Sequence, residues 1–212
     1  MDFRNAKELL KVCQEQGLSI SAVMLQRELT EGEQDPEETD RKMDRVLEIM
    51  KSAASTPIHT PVKSMGGLIG GEAKKISDHK DTGKGLCGDL LERAVIYAMA
   101  TLETNASMGV IVASPTAGSA GIVPGLLLAL QETYDLSDEQ IKQGLYNASA
   151  IGYLAMRNAT VAGAVGGCQA EVGIASAMAA SATVELMGGS PEQSLAAAST
   201  VLMNMLGLVC DP

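Results

Sequence analysis

Ala162-Gly163-Ala164-Val165-Gly166-Gly167-Cys168-Gln169-Ala170-Glu171-Val172-Gly173 sets three glycines ahead of one cysteine, and an alanine-rich apolar pattern continues from there to about residue 187. Glycine frees the backbone for a tight turn and the pattern after it is helical, so the stretch predicts a turn that delivers a thiol to the first turn of a helix. Unpaired N–H groups and the positive end of the helix dipole favour a thiolate there, suited to a metal ligand or a nucleophile. The plainer alternative makes Cys168 a small buried core residue, because free cysteine is among the most buried types.

Outward from this stretch the chain reads as helix after helix. Gly188-Gly189 ends the one that Cys168 opens, and Ser190-Pro191-Glu192-Gln193 starts another that runs through Met205 to a stop at Gly207. Both carry apolar or small residues on nearly every face, the mark of helices buried all round. Upstream, Ser137-Asp138-Glu139-Gln140 starts a helix to about Met156, and Asp89 opens one to about Glu103 with Leu90, Leu91, Ala94, Val95, Ala98 and Leu102 at spacings of three and four. Near the N-terminus three helices are expected: residues 4–16, a second capped by Ser19 or Ser21, and a third with Asp35 as cap and Pro36 first. Residues 53–88, with Pro57, Pro61 and many glycines, are expected to be irregular. Residues 110–113 and 207–210 are too short to build a sheet, so the fold class is all-α, with small-residue, tightly packed buried helices.

Composition agrees. Hydrophobic residues are 46% of the 212, yet aromatics are 2%, with no Trp and a single Phe3. Ala, Gly, Met, Leu and Val must fill the core, and small side chains let helices approach closely. A net charge of −10 argues against a nucleic-acid partner, which needs a basic face. No Lys or Arg lies between Arg93 and Lys142 or after Arg157. An anionic ligand near those segments must be held by helix N-termini, hydroxyls, a metal, the lysines of residues 63–84, or a partner. Cys13, Cys87, Cys168 and Cys210 are far apart and no basic-then-apolar leader precedes them, so a reducing cytosol without disulfides is expected. Residues 104–131 are uncharged, but Pro115, Pro124 and four glycines interrupt them, and no membrane span is expected.

Two loops have a composition suited to ligands. Ser64-Met65-Gly66-Gly67-Leu68-Ile69-Gly70-Gly71 lacks the order of a P-loop but suits close approach of backbone to a ligand. Asn105 and the block Ser114-Pro115-Thr116-Ala117-Gly118-Ser119-Ala120-Gly121 place hydroxyls and exposed N–H groups before an apolar helix, which suits a carboxylate. An ordinary capping turn is the alternative. His59 and His79 read as solvated loop histidines rather than catalytic ones. Cys210 follows a helix as Cys168 precedes one, so the two thiols can converge where neighbouring helices meet.

Three blocks resemble one family. Ala164-Val165-Gly166-Gly167-Cys168-Gln169-Ala170-Glu171-Val172-Gly173, Asn204-Met205-Leu206-Gly207-Leu208-Val209-Cys210-Asp211-Pro212, and Ala113 through Gly121 are similar to the α subunit of iron–sulfur-dependent bacterial L-serine dehydratase, in its two-chain form. The resemblance implies an all-helical catalytic subunit, a lyase, that turns L-serine into pyruvate and ammonia at an oxygen-sensitive [4Fe–4S] cluster with one open iron. It makes Cys168 and Cys210 two of three cluster ligands, with the third expected beyond Pro212. Residues 1–52, the most charged part of the chain, read as an N-terminal helical appendage that covers something or contacts a partner, with a simple solvated helical layer as the alternative. Residues 53–212 are then the catalytic domain, which the resemblance makes incomplete at its C-terminus. The isolated chain is then expected to be inactive. Ser64, Asn105, Ser114, Thr116, Gly118 and Ser119 become candidates for holding the substrate carboxylate. The general base is not assignable in this chain, and the resemblance places it on a histidine of a β subunit within an oligomer. An iron–sulfur cysteine desulfidase and a non-catalytic helical docking subunit are the rival readings.

Overall fold

Asn5, Ser19, Asp35 and Ser190 each accept a hydrogen bond from a backbone N–H three residues on, at Glu8, Ala22, Glu38 and Gln193. A helix starts at the next residue each time, because a side-chain oxygen satisfies a donor that the first turn leaves unpaired. A computed structural model of the chain describes residues 2–32 and 35–207. In order the helices are α1 (Ala6–Gln16), α2 (Ile20–Glu31), α3 (Pro36–His59), α4 (Glu72–Asp81), α5 (Asp89–Ala106), α6 (Ile122–Tyr134), α7 (Asp138–Asn158), α8 (Gly163–Gly166), α9 (Cys168–Leu186) and α10 (Pro191–Met205). Among the described residues there is no strand. The fold is all-α, and none of its described helices is long and apolar enough to cross a membrane.

The segment expected to be irregular is in part helical. α3 continues through Pro57 to His59, and residues 72–81 form α4. Pro57 lacks the N–H that would bond the Ala53 carbonyl one turn back, a loss that normally breaks a helix. Here the Thr104 hydroxyl donates to that same carbonyl at 2.9 Å, so α5 supplies the missing hydrogen bond. Pro57 is buried, and the helix is held by what packs on it.

The chain forms two compact units, one of residues 1–44 and 138–212, the other of residues 45–137. In the first, α9 is central, packed by α7 and α10, with α2 on α7 and α1 against α2 and α10. Its buried residues Gly173, Ile174, Ala175, Ala177, Met178, Ala179, Ser181 and Ala182 cover most of its circumference, leaving the Val172, Ser176, Ala180 and Thr183 side half-buried. By contrast α10 buries only Ser194 and Ala198 and is not enclosed all round as its composition predicts. The N-terminal helices share this unit's core: Phe3, Leu9, Cys13, Ile20, Val23 and Met24 cluster with Tyr146 and Ala150 of α7. Lys142 of α7 is buried and bonds Asp40 (2.7 Å) and Asp44 (2.8 Å) of α3. Those contacts and Glu139 hold the ammonium charged well above the usual lysine range, against the burial that opposes charge.

In the second unit α6 lies directly on α5. A Cβ on Gly121 would stand 2.6 Å from the Ala98 carbonyl oxygen, and one on Gly125 would stand 2.9 Å from that of Ala94. Backbone cannot give way as a side chain can. Gly121→Ala is therefore expected to destabilise the chain by about 1–3 kcal/mol, read as a lowered midpoint in urea with an unchanged slope.

Candidate active site

Gly167 takes φ +82°, a conformation that a side chain disfavours, and turns the chain from α8 into α9. A Cβ on Gly166 would meet the Thr160 methyl at 2.7 Å and the Ala170 Cβ at 2.9 Å, so only glycine lets the turn lie this close to the helix it precedes. The next residue, Cys168, is the first of α9 and is exposed. The core alternative for Cys168 is thereby excluded. Cys13 is the buried thiol: it is 2% exposed, and burial, with the Glu185 and Glu192 carboxylates, pushes its pKa up to about 11. In the cluster-free chain at pH 8 a thiol reagent is expected to modify Cys168 and exposed Cys87 but not Cys13 until the chain is unfolded, a contrast that peptide mass spectrometry reads directly.

Beside this turn runs an open groove of about 510 Å³, lined by Gly166, Gln169, Gly173 and Ile174 on one side and by Leu202, Met205 and Leu206 on the other. The end of α10 and the start of α9 thus face one space. Cys210 lies outside the described residues. Among the described residues no group of three His, Cys, Asp or Glu side chains is arranged to hold a metal ion. An exposed thiol at a helix start suits part of the donor set of an iron–sulfur centre, for which cysteine thiolates are the usual ligands.

The candidate substrate residues gather at the C-terminal end of α5. Asn105 Nδ2 donates to the Ala117 carbonyl at 3.0 Å, fixing the second loop there. Within that loop the Thr116 and Ser119 hydroxyls are 3.1 Å apart, and the Ser119 hydroxyl donates to the Ser114 carbonyl at 3.4 Å. The Ser114–Pro115 peptide is cis. Ser114 is 6% exposed and its Oγ has no hydrogen-bond partner. A buried hydroxyl without a partner has an unused donor and two unused acceptors, which a ligand's polar group can take up. Gly118 is exposed at the tip of the loop. Ser64 closes the first loop through its N–H to the Ile69 carbonyl (2.8 Å) and its hydroxyl to the Ile69 N–H (3.1 Å), and the Met65 N–H bonds the Ala106 carbonyl (3.3 Å). His59 and His79 are exposed near the ends of α3 and α4.

Residues 15–212 match the family described as serine dehydratase alpha chain. The chain belongs to that family. Serine dehydratase α chains that it resembles include a probable L-serine dehydratase α chain of Bacillus subtilis, 48% identical over 210 residues that cover 99% of this chain and 70% of that one. Another is the L-serine dehydratase α chain of Peptoniphilus asaccharolyticus, 44% identical over 99% of this chain and 72% of that one. L-serine dehydratase 1 of Escherichia coli is 35% identical, and there the alignment covers 47% of the longer protein.

Two carboxylates that tie helix starts in this serine dehydratase α chain escape a sequence reading. Glu103, 1% exposed, accepts from the Gly71 and Ala73 N–H groups at the start of α4, and Glu185 accepts from the Ile20 and Ser21 N–H groups at the start of α2. Each caps a helix distant in sequence. The available signal was spacing: Glu103 falls on the same face of α5 as buried Ile96 and Ala100.

Proposed function

We propose that this chain is the catalytic α subunit of an L-serine dehydratase, a lyase that removes water and then ammonia from L-serine to leave pyruvate. The observation that carries the reading is the exposed thiol of Cys168, presented by a glycine turn at the start of a long buried helix in a chain of this family. Cys168 and Cys210 would hold a [4Fe–4S] cluster. When bound, the cluster supplies Lewis acidity toward the serine hydroxyl and makes hydroxide a tolerable leaving group.

The chain's own residues bind and orient. No Lys or Arg follows Arg157, so no side-chain cation from α8, α9 or α10 meets the substrate carboxylate. Hydroxyl and backbone N–H donors take that role: the Ser114 hydroxyl, the Thr116 and Ser119 pair, the Gly118 backbone, Asn105 and the residue 64–71 loop with Ser64. Ser114 and Ser119 are buried and Asn105 is tied to the second loop through the Ala117 carbonyl, so these donors hold the carboxylate with little reorganisation as charge shifts in the reaction. A histidine of the β subunit takes the α-proton. The aminoacrylate released on loss of water tautomerises and hydrolyses to pyruvate and ammonia. The α chain assembled with its β subunit and reconstituted anaerobically is expected to form pyruvate from L-serine. Sulfide from L-cysteine with no turnover of serine would instead make it a desulfidase.

A further inference from the structure

We infer that Glu103 is a positioning residue: it fixes the residue 64–71 loop against the last turn of α5 and thereby sets how tightly substrate is held. This rests on the assignment of that loop and of Asn105 to substrate binding. Three neighbours on the last turn of α5 hold the two loops. Glu103 takes the Gly71 N–H at 3.1 Å and the Ala73 N–H at 2.7 Å. The Ala106 carbonyl takes the Met65 N–H at the other end of the same loop, and Asn105 reaches the Ala117 carbonyl in the second loop.

Glu103 is the one ionisable group of the three, and at 1% exposure both its oxygens are taken up by backbone N–H groups. The loop it restrains has little other freedom. Gly70 has φ +149°, and a Cβ there would sit 2.1 Å from the Val62 carbonyl oxygen, so the chain doubles back on itself between Val62 and Gly70. The neighbouring Glu72 carboxylate takes the Gly70 N–H at 2.6 Å. Residues 70–73 are thus clamped by two carboxylates, one local and one from α5. Only the second fixes the loop relative to Asn105, because only it comes from another element. A geometric error of about 1 Å in a substrate-positioning group is enough to cost roughly 100-fold in rate, so a clamp of this kind matters at a distance from the chemistry.

The test uses the reconstituted α–β enzyme with Glu103→Gln and Glu103→Asp. Gln keeps the shape but turns one acceptor into a donor facing N–H groups. Asp keeps the charge but is one methylene short. Both are expected to raise KM for L-serine about 10-fold or more with a smaller change in kcat, and to speed hydrogen exchange at Gly71 and Ala73 while α6 stays protected. A residue needed only for folding would instead lower kcat with the folded fraction and leave KM and the exchange pattern unchanged, and that result overturns the inference. If Glu103→Gln does not fold, Glu103→Asp decides alone. Absence of pyruvate from L-serine in the wild-type enzyme would reject the functional assignment, whereas normal wild-type turnover with unmoved KM in the variants rejects only the role of Glu103.

Discussion

Cys168→Ala is expected to remove the iron from the assembled enzyme and with it serine turnover, by at least about 100-fold, the upper range for losing even an outer partner of a metal site. The same change should leave the fold of the cluster-free chain intact. Cys168 is exposed and contributes no core volume, so its loss belongs with surface substitutions that alter stability by no more than about 0.5 kcal/mol. Iron content, pyruvate formation and urea unfolding, measured side by side, separate the two effects. A variant that keeps its iron and its activity would show that the thiol is not a ligand. A variant that loses activity only because it unfolds would return Cys168 to a structural role.

The second large effect is on stability, at Glu185. Its carboxylate accepts from Ile20 N at 3.0 Å, from Ser21 N at 3.3 Å and from Asn147 Nδ2 at 2.7 Å, and Asn147 is fully buried. Removing the carboxylate by Glu185→Ala leaves the first turn of α2 without two of its acceptors and strands an amide inside the protein. The Asn147 carbonyl oxygen has no hydrogen-bond partner even in the native chain, so without the carboxylate neither end of this buried amide is satisfied. Bonds to a charged acceptor are worth about 1.5–3 kcal/mol each, and a stranded buried donor adds its own cost, so a loss of roughly 3–5 kcal/mol is expected. Denaturant unfolding of the variant checks this. A change below about 1 kcal/mol would mean that water takes the place of the carboxylate.

Most of the helices were legible because their ends carry local chemistry. Ser190 and Gln193 exchange hydrogen bonds as a capping box with Pro191 in the first helical position, and Gly17 ends α1 in the left-handed conformation. The buried character of α9 was legible because its middle, residues 172–184, carries no charge and is built largely of alanine, glycine and serine. What escaped depends on partners far along the chain. Pro57 reads as a breaker, and nothing local announces that Thr104 will take over the carbonyl it orphans. Residues 1–52 are marked by charge, but charge reports the solvated face of a helix. It does not report that Phe3, Leu9 and Cys13 will share a core with Tyr146.

The candidate site divides in the same way. Cys168 at the start of its helix follows from glycine and helix-dipole chemistry. The gathering of Asn105 with residues 114–119 at the end of α5 is a matter of tertiary hydrogen bonds, which motif composition suggests but spacing does not dictate. Glu103 and Glu185 were invisible as caps because a carboxylate in a helical window reads as a solvated residue unless its face is already known to be buried.

The most direct measurement is iron spectroscopy on the anaerobically reconstituted α–β enzyme, recorded by the Mössbauer method with and without L-serine. A cluster held by Cys168 and Cys210 predicts bound iron and sulfide, with one minority iron component that changes when L-serine is added and does not form in Cys168→Ala. A wild-type preparation that turns over serine while holding no iron, or whose iron spectrum is untouched by both serine and the Cys168 substitution, would contradict it.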